Sequence, residues 1–213
     1  RALRIDEAAY GPEHPEVAAA VSNLGSVLQD LGDLAGARAA FERVLRMDEA
    51  VYGPEHPKVA TAVSNLGLVL QAQGDLAGAR AAFERALRMD EAVYGPEHPN
   101  VAAVVNNLGS VLHALGDLAG ARAAYERALR IREASLGPEH PQVATAVNNL
   151  GRVLRDLGDL AGARAACERA LRIRETSLGP EHPQVATAVN NLGRVLQDLG
   201  DLAGARAAFE RAL

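Results

Sequence analysis

Histidine is a common metal ligand, and five of the six histidines in this sequence share one setting. They recur in the string Gly-Pro-Glu-His-Pro, at a constant spacing of 42 residues, as His14, His56, His98, His140 and His182. Zinc needs its ligand nitrogens about 2.0–2.1 Å from one centre, whereas neighbouring packed helices lie about 8–10 Å apart. One histidine in each repeated unit therefore does not predict a metal site, and no cofactor is expected.

The other reactive groups do not form a catalytic set. Cys167 is the only cysteine, so it cannot form an internal disulfide, and the chain fits a reducing, cytoplasmic location. It occupies the position that Phe41 and Phe83 hold in other units, which predicts a buried thiol and not a nucleophile. Gly-Asp-Leu-Ala-Gly lacks the Lys-Ser/Thr of a phosphate-binding P-loop, and no Ser-His-Asp set is indicated. The sequence therefore predicts that the protein is not an enzyme.

The charge balance argues against nucleic acid as a partner. The 213 residues carry 22 Lys and Arg against 27 Asp and Glu, a net charge of −5, whereas nucleic-acid-binding proteins usually present a basic face. No apolar run approaches the roughly 18 residues of a transmembrane helix, so no membrane partner is predicted. Lys58 is the only lysine, and this strong preference for arginine indicates a GC-rich, bacterial source.

An internal repeat organises these residues. Gly-Pro-Glu-His-Pro begins at Gly11 and returns every 42 residues up to Gly179, and Gly-Asp-Leu-Ala-Gly-Ala-Arg-Ala-Ala begins at Gly32 and returns at the same interval up to Gly200. Two markers with one period are the signature of a repeat array. The units are 11–52, 53–94, 95–136, 137–178 and an incomplete 179–213, and residues 1–10 form the tail of a preceding helix.

Each unit predicts two antiparallel helices. In the first unit, apolar residues recur every three or four positions, which is helix spacing, at Val17, Val21, Leu24, Leu28 and Leu31. Pro15 suits the first helical turn, which makes His14 the N-cap. Gly32 ends the helix, and Asp33 is a good N-cap for the next. The second helix places Leu34, Ala37, Phe41, Leu45 and either Met47 or Asp48 on one face and ends at Gly53. Stacking such hairpins buries a continuous core, so the sequence predicts one all-α domain, an α-solenoid.

The unit resembles the tetratricopeptide repeat, a 34-residue helical hairpin. The residues that carry the resemblance are Leu24-Gly25, Ala37, Phe41 and Val44, and their equivalents as far as Leu192-Gly193, Ala205, Phe209 and Ala212. Val21 stands where the family has an early aromatic residue, and Glu49 stands near the place of its closing proline. The longer second helix makes the unit similar to the repeats of kinesin light chains and of bacterial arrays attached to nucleotide-binding signalling ATPases. The resemblance implies a right-handed superhelix whose concave face, lined by the first helices, binds a protein or peptide.

The resemblance also implies candidate binding residues on the first helices. In the first unit these positions are Ala19, Ser22, Asn23, Ser26, Gln29 and Asp30. One of them is asparagine in every unit, where the resemblance implies a bond to a peptide backbone, as Asn23, Asn65, Asn107, Asn149 and Asn191. The alternative is that these amides bond a neighbouring helix or face water.

Other first-helix positions vary from unit to unit. They include the equivalents of Ser26 and Gln29, among which are His113, Arg152, Arg155 and Arg194. The three arginines would cluster on the proposed concave face, and a guanidinium binds carboxylates through a bidentate fork. This predicts an acidic peptide or a C-terminal carboxylate as the partner. The alternative is a solvated charged face in which Asp156 and Asp198 pair with the arginines.

The sequence is compatible with two functions of the protein. The first is a scaffold that binds a protein or peptide on its concave face. The second is a structural spacer or self-associating rod, which the near-identity of the units favours. Both ends of the sequence fall inside a second helix, without a polar capping helix, so end-to-end stacking of molecules is expected.

Overall fold

The computed structural model describes residues 9, 11 and 14–212. In this part of the chain all regular structure is helical, and the prediction of an all-α protein is confirmed. The ten helices are α1 (Pro15–Asp30), α2 (Leu34–Tyr52), α3 (Pro57–Ala72), α4 (Leu76–Tyr94), α5 (Pro99–Ala114), α6 (Leu118–Leu136), α7 (Pro141–Asp156), α8 (Leu160–Leu178), α9 (Pro183–Asp198) and α10 (Leu202–Arg211). Apart from residue 9, the predicted helix tail at 1–10 lies outside the described residues.

The turn inside each hairpin follows from its Gly-Asp sequence. Gly74 has φ +82° and donates its N–H to the carbonyl of Gln71 at 3.0 Å, while Asp75 N donates to Leu70 O at 2.9 Å. This pair of bonds closes a helix as a Schellman motif, for which glycine is suited because it adopts a positive φ without strain. The carboxylate of Asp75 then accepts a hydrogen bond from Gly78 N at 2.9 Å and caps α4, as the sequence predicts for Asp33.

The recurring histidines begin the first helices. Nδ1 of His56 accepts a hydrogen bond from Lys58 N at 3.2 Å, and Pro57 is the first residue of α3. His98, His140 and His182 accept in the same way from the backbone two residues later. A side chain that satisfies an orphan N–H is what an N-cap supplies. The repeated histidine is therefore explained by helix capping.

The helices group into two compact units, which meet within α5 after Val111. In the first unit, α1 packs against α2, α2 against α3, and α3 against α4. In the second unit, α6 packs against α7, α7 against α8, α8 against α9, and α9 against α10. Each unit is thus a row of hairpins stacked in chain order. The expectation that the whole chain is one domain stays a prediction.

The core of the first unit lies where a glycine faces an aromatic ring. A β-carbon at Gly67 would lie 3.0 Å from Cζ of Phe83, so the ring occupies the space that a side chain would need. Phe83 is fully buried with Ala79, Ala86 and Val111. The contact brings α3 and α4 close together along their buried faces.

In the second unit Cys167 takes the place of the ring. It is buried with Leu154, Ala163 and Val195, as the sequence predicts. A β-carbon at Gly151 would lie 3.2 Å from its Sγ and 3.4 Å from the carbonyl oxygen of Ala163. The helices α7 and α8 therefore still approach closely although the aromatic side chain is missing.

Ion pairs join the second helices of successive repeats. Arg85 Nη2 lies 2.7 Å from Glu49 Oε1 in the first unit, and Arg169 Nη2 lies 2.6 Å from Glu133 Oε1 in the second. Arg85 and Arg169 also donate to the carbonyls of Pro54 and Pro138. Each arginine therefore ties its helix to the preceding repeat and to the loop that follows it.

We expect Gly67→Leu to destabilise the protein, because the new side chain would have to displace the ring of Phe83. Overpacking of this kind costs about 1–3 kcal/mol, which lowers the melting temperature of a chain of this size by about 2–12 °C. Circular dichroism melts should be compared with those of Ala72→Leu, an exposed position in the same helix. Equal melting temperatures for the two variants would contradict this account of the core.

Candidate functional site

The first helices present a polar surface that the rest of each hairpin leaves open. On α1, Asn23, Ser26 and Asp30 are exposed, and Ser22 and Gln29 are partly exposed. We call the exposed side of these helices the first-helix face and describe it separately in each unit. In the first unit it comprises α1, α3 and α5 up to Val111. In the second unit it comprises α7, α9 and the last turn of α5.

A chain of hydrogen bonds and ion pairs crosses the first-helix face of the second unit. Nε2 of His113 lies 2.6 Å from Oδ2 of Asp156, whose Oδ1 accepts a hydrogen bond from Arg155 Nη2 at 3.1 Å. Nε of Arg155 lies 3.5 Å from Oδ2 of Asp198 on the next first helix. Partly exposed pairs of this kind contribute about 0–1 kcal/mol each. A ligand could therefore replace one of them at little cost in stability.

Arg152 and Arg194 differ from Arg155. Both side chains are exposed, and neither makes a hydrogen bond or ion pair with the part of the chain that the structure describes. They occupy equivalent positions on α7 and α9, which contact each other. Each guanidinium offers five N–H donors with fixed geometry. The structure thus places two uncommitted guanidinium groups on this face, and it pairs the third predicted arginine with aspartates.

The asparagine column is divided among several environments. Asn23 is exposed, whereas Asn65, Asn107, Asn149 and Asn191 are partly buried. Nδ2 of Asn191 donates to Oδ1 of the buried Asn148 at 2.9 Å. That bond joins two neighbouring first helices, which is the alternative role considered from the sequence. Oδ1 of Asn191 takes no part in it.

The first-helix face of the first unit has neutral groups where the second unit has charges. Gln71, at the position equivalent to His113 and Arg155, donates through Nε2 to Oγ of Ser110 at 2.9 Å. Ser110 is at the position equivalent to Arg152. Polar residues at these variable positions therefore connect successive first helices in both units, through neutral partners in one and ionic partners in the other.

One set of ionisable residues was missed by the sequence reasoning. Asp48 and Asp90, at equivalent positions of the second helices, are each only 8 % exposed, and burial raises the pKa of both carboxyl groups. The same position holds Arg132 and Arg174 in the later repeats, and burial lowers the pKa of both guanidinium groups. The sequence did contain a signal for these residues. One position on the apolar face of the second helices changes from Asp in the earlier repeats to Arg in the later ones.

The two arginines at this position bond to the chain itself. Nη1 of Arg132 donates to Gln142 O at 3.1 Å, and Nη1 of Arg174 donates to Gln184 O at 3.0 Å. Nε of the buried Arg174 has no hydrogen-bond partner among the described residues. Each guanidinium thus reaches the first turn of the following first helix.

The structure gives the thiol no arrangement for nucleophilic chemistry. Burial raises the pKa of Cys167 to about 11, so the reactive thiolate is scarce near neutral pH. Within residues 14–212, no three side chains of the types His, Cys, Asp and Glu are grouped to hold a metal ion. No helix among the described residues combines the length and apolar character needed to cross a membrane.

Comparison with known proteins agrees with this architecture. A family model described as tetratricopeptide repeat matches residues 1–50, 16–92, 58–134, 100–165 and 142–213, and the chain belongs to that family. Repeats of this family generally act as non-catalytic scaffolds that bind proteins or peptides. No curated protein sequence matches the chain.

Two solved structures have a similar architecture. BtubC (BKLC) from P. vanneervenii is 25 % identical with a TM-score of 0.83, over 99 % of this chain and 84 % of that one. A candidate kinesin light chain from Podosopora anserina with nearly identical TPR-like repeats is 24 % identical with a TM-score of 0.79, over 93 % of this chain and 94 % of that one. These similarities confirm the predicted fold, and the chain resembles repeat arrays of the kinesin-light-chain type.

We expect Asp90→Asn to raise the melting temperature at pH 7. Because the folded state raises the pKa of Asp90 above its unfolded value of about 3.9, the native protein binds this proton more tightly. The free energy of unfolding therefore falls as pH rises through the raised pKa. The asparagine side chain of the variant does not ionise, so this fall is absent from the variant. The difference between variant and wild type should vanish below about pH 3, where the unfolded carboxyl group is also protonated. A variant that melts below wild type at pH 7 would contradict this.

Proposed function

We propose that the protein is a protein–protein interaction scaffold and that the first-helix face is its binding surface. The observation that carries the proposal is the pair Arg152 and Arg194, which are exposed and which the described fold does not engage. Side chains that stabilise a fold are normally paired or packed, so two uncommitted cations on adjacent helices are suited to an external partner. Membership of a family whose repeats bind proteins or peptides supports the same conclusion.

The chemistry of this surface favours a partner that presents carboxylates. A guanidinium forms two parallel, charge-assisted hydrogen bonds with a carboxylate, and His113 and Arg155 lie in the same unit, already bound to Asp156. An acidic side chain or a C-terminal carboxylate of the partner would bridge Arg152 and Arg194. The amides of the asparagine column would bond its backbone. We place this interaction in the cytoplasm, where the single cysteine would stay reduced.

A second candidate function is self-association into a rod. Leu24 and Val27 are exposed on α1, and their equivalents Leu66 and Val69 pack against the buried Phe41. Leu202 is 68 % exposed, whereas its equivalent Leu34 packs against the same cluster. Apolar side chains that fill the contact between repeats are therefore also present at the surface, where a second molecule could cover them.

One experiment separates the two functions. The tagged protein is used to capture partners from a lysate of its source cells, next to a variant in which Arg152 and Arg194 are both changed to Glu. Arg130 and Arg172, exposed on second helices of the same unit, are changed to Glu in the matched control. A hydrogen bond to a charged group contributes about 1.5–3 kcal/mol. Capture of the partner should therefore fall at least about tenfold in the first variant and stay unchanged in the control.

Equal capture by both variants would sink the assignment of the binding surface. Capture of the chain alone, together with a mass by light scattering that grows with concentration, would favour the rod. Melting curves of all three proteins must agree for the comparison to count.

A further inference from the structure

A cavity of about 210 Å³ opens on the first-helix face of the first unit, between α1 and α3. Ala19 on one side and Ala62 on the other are too small to close the gap between the helices. Ser22 and Asn65 line it with a hydroxyl and an amide, and Asp48 of α2 forms part of its base. The cavity is therefore a concave site with convergent polar groups, and one of them is a residue of the asparagine column.

Asp48 is the unusual member of this lining. It is 8 % exposed, and its carboxylate makes no hydrogen bond and no ion pair with any described residue. A carboxylate that is largely shielded from water is stabilised when a cation binds it. The cavity that Asp48 helps to line leaves room for a cationic group.

Lys58 and His56 are basic residues close to Asp48, and neither of them bonds to its carboxylate. Nζ of Lys58 donates to Oη of Tyr52 at 2.7 Å and lies 4.4 Å from the centre of its ring. The imidazole of His56 stacks on the same ring at 4.7 Å, with its Nδ1 engaged as the N-cap of α3. Lys58, and His56 when it is protonated, act on Asp48 only through their charge. Both groups contact Tyr52, and although Lys58 is also part of the cavity lining, its ammonium group bonds to Tyr52 and not to Asp48.

The second unit shows what occupies the equivalent position when Asp is absent. Arg132 and Arg174 replace it there, and each donates from Nη1 to a carbonyl at the start of the following first helix. The backbone around this position thus accommodates a guanidinium that the chain itself supplies. In the first unit the polarity is reversed, because the chain supplies the carboxylate and none of the described basic residues forms an ion pair with it.

We propose that the cavity between α1 and α3 binds the guanidinium group of an arginine side chain of the partner protein, with Asp48 as its counter-ion. Asn65 Oδ1 and Ser22 Oγ accept further hydrogen bonds from the same group. This inference rests on the proposed function, since it assigns a partner residue to the first-helix face. A volume of about 210 Å³ is many times the roughly 10–15 Å³ that one water needs, so a guanidinium group fits the cavity.

The test uses three acetylated and amidated nine-residue Gly-Ser peptides that carry Arg, Gln or Glu at the centre. Each is titrated into the ¹⁵N-labelled protein and followed by two-dimensional NMR. The arginine peptide should shift the backbone resonances of Ser22, Thr61 and Asn65 along a saturable curve, with at least tenfold tighter binding than the glutamine peptide. Asp48→Asn should remove that tenfold preference, whereas Glu55→Gln, a change of an exposed loop carboxylate, should keep it.

Each other outcome has one meaning. Equal affinity for the arginine and glutamine peptides, or a preference that survives Asp48→Asn, would overturn the inference. The comparison of the peptides on the wild-type protein, and the location of the shifted resonances, do not require the variant to fold. If only the glutamate peptide bound, at α7 and α9, the proposed function would stand and this inference would fail. If no peptide shifted any first-helix resonance, both would fail.

Discussion

The close approach of the two helices in each hairpin is the constraint on which the other features depend. A β-carbon at Gly25 or Gly67 would lie 3.0 Å from the ring of Phe41 or Phe83, so the ring fits only because glycine has no side chain. In the fourth hairpin the ring is replaced by Cys167, yet Gly151 still lies close to the backbone of α8. The short distance between the helices is therefore a property of the hairpin backbone and not of the aromatic residue alone.

This spacing brings the second helix into the functional surface. Because α2 lies directly under α1 and α3, its residue Asp48 forms part of the base of a cavity that opens between them. A single position of the second helix can then change the chemistry of the first-helix face without altering its exposed residues. It holds a buried carboxylate in the first unit, and in the second unit it holds Arg174, which bonds to the backbone. The fold is kept constant by the repeat, while the charge at this position is free to vary.

Much of the architecture could be read from the sequence, because it is determined locally. The 42-residue period, the helix ends at Gly32 and Gly53, and the caps at Asp33 and the histidines depend on neighbouring residues, and the structure confirms them. The contacts of the candidate site depend instead on the register between neighbouring repeats. The sequence offers the bond from Asn191 to a neighbouring helix, the pairing of Arg155 with Asp198 and the burial of Asp48 only as alternatives, because each depends on how residues of different repeats meet. A helical periodicity defines which face is buried, but it does not show which charged side chain at the edge of that face is shielded from solvent.

The central claim is that partners bind the first helices and not the second. Carboxyl footprinting tests it directly, by labelling the protein with glycine ethyl ester in the presence and absence of a captured partner. Asp30, Asp156 and Asp198 report on the first-helix face, and Glu84, Glu126 and Glu168 report on second helices. The account predicts that the partner lowers labelling at the aspartates of the unit it binds and leaves the three glutamates unchanged. Protection of the glutamates with unchanged aspartates would contradict it.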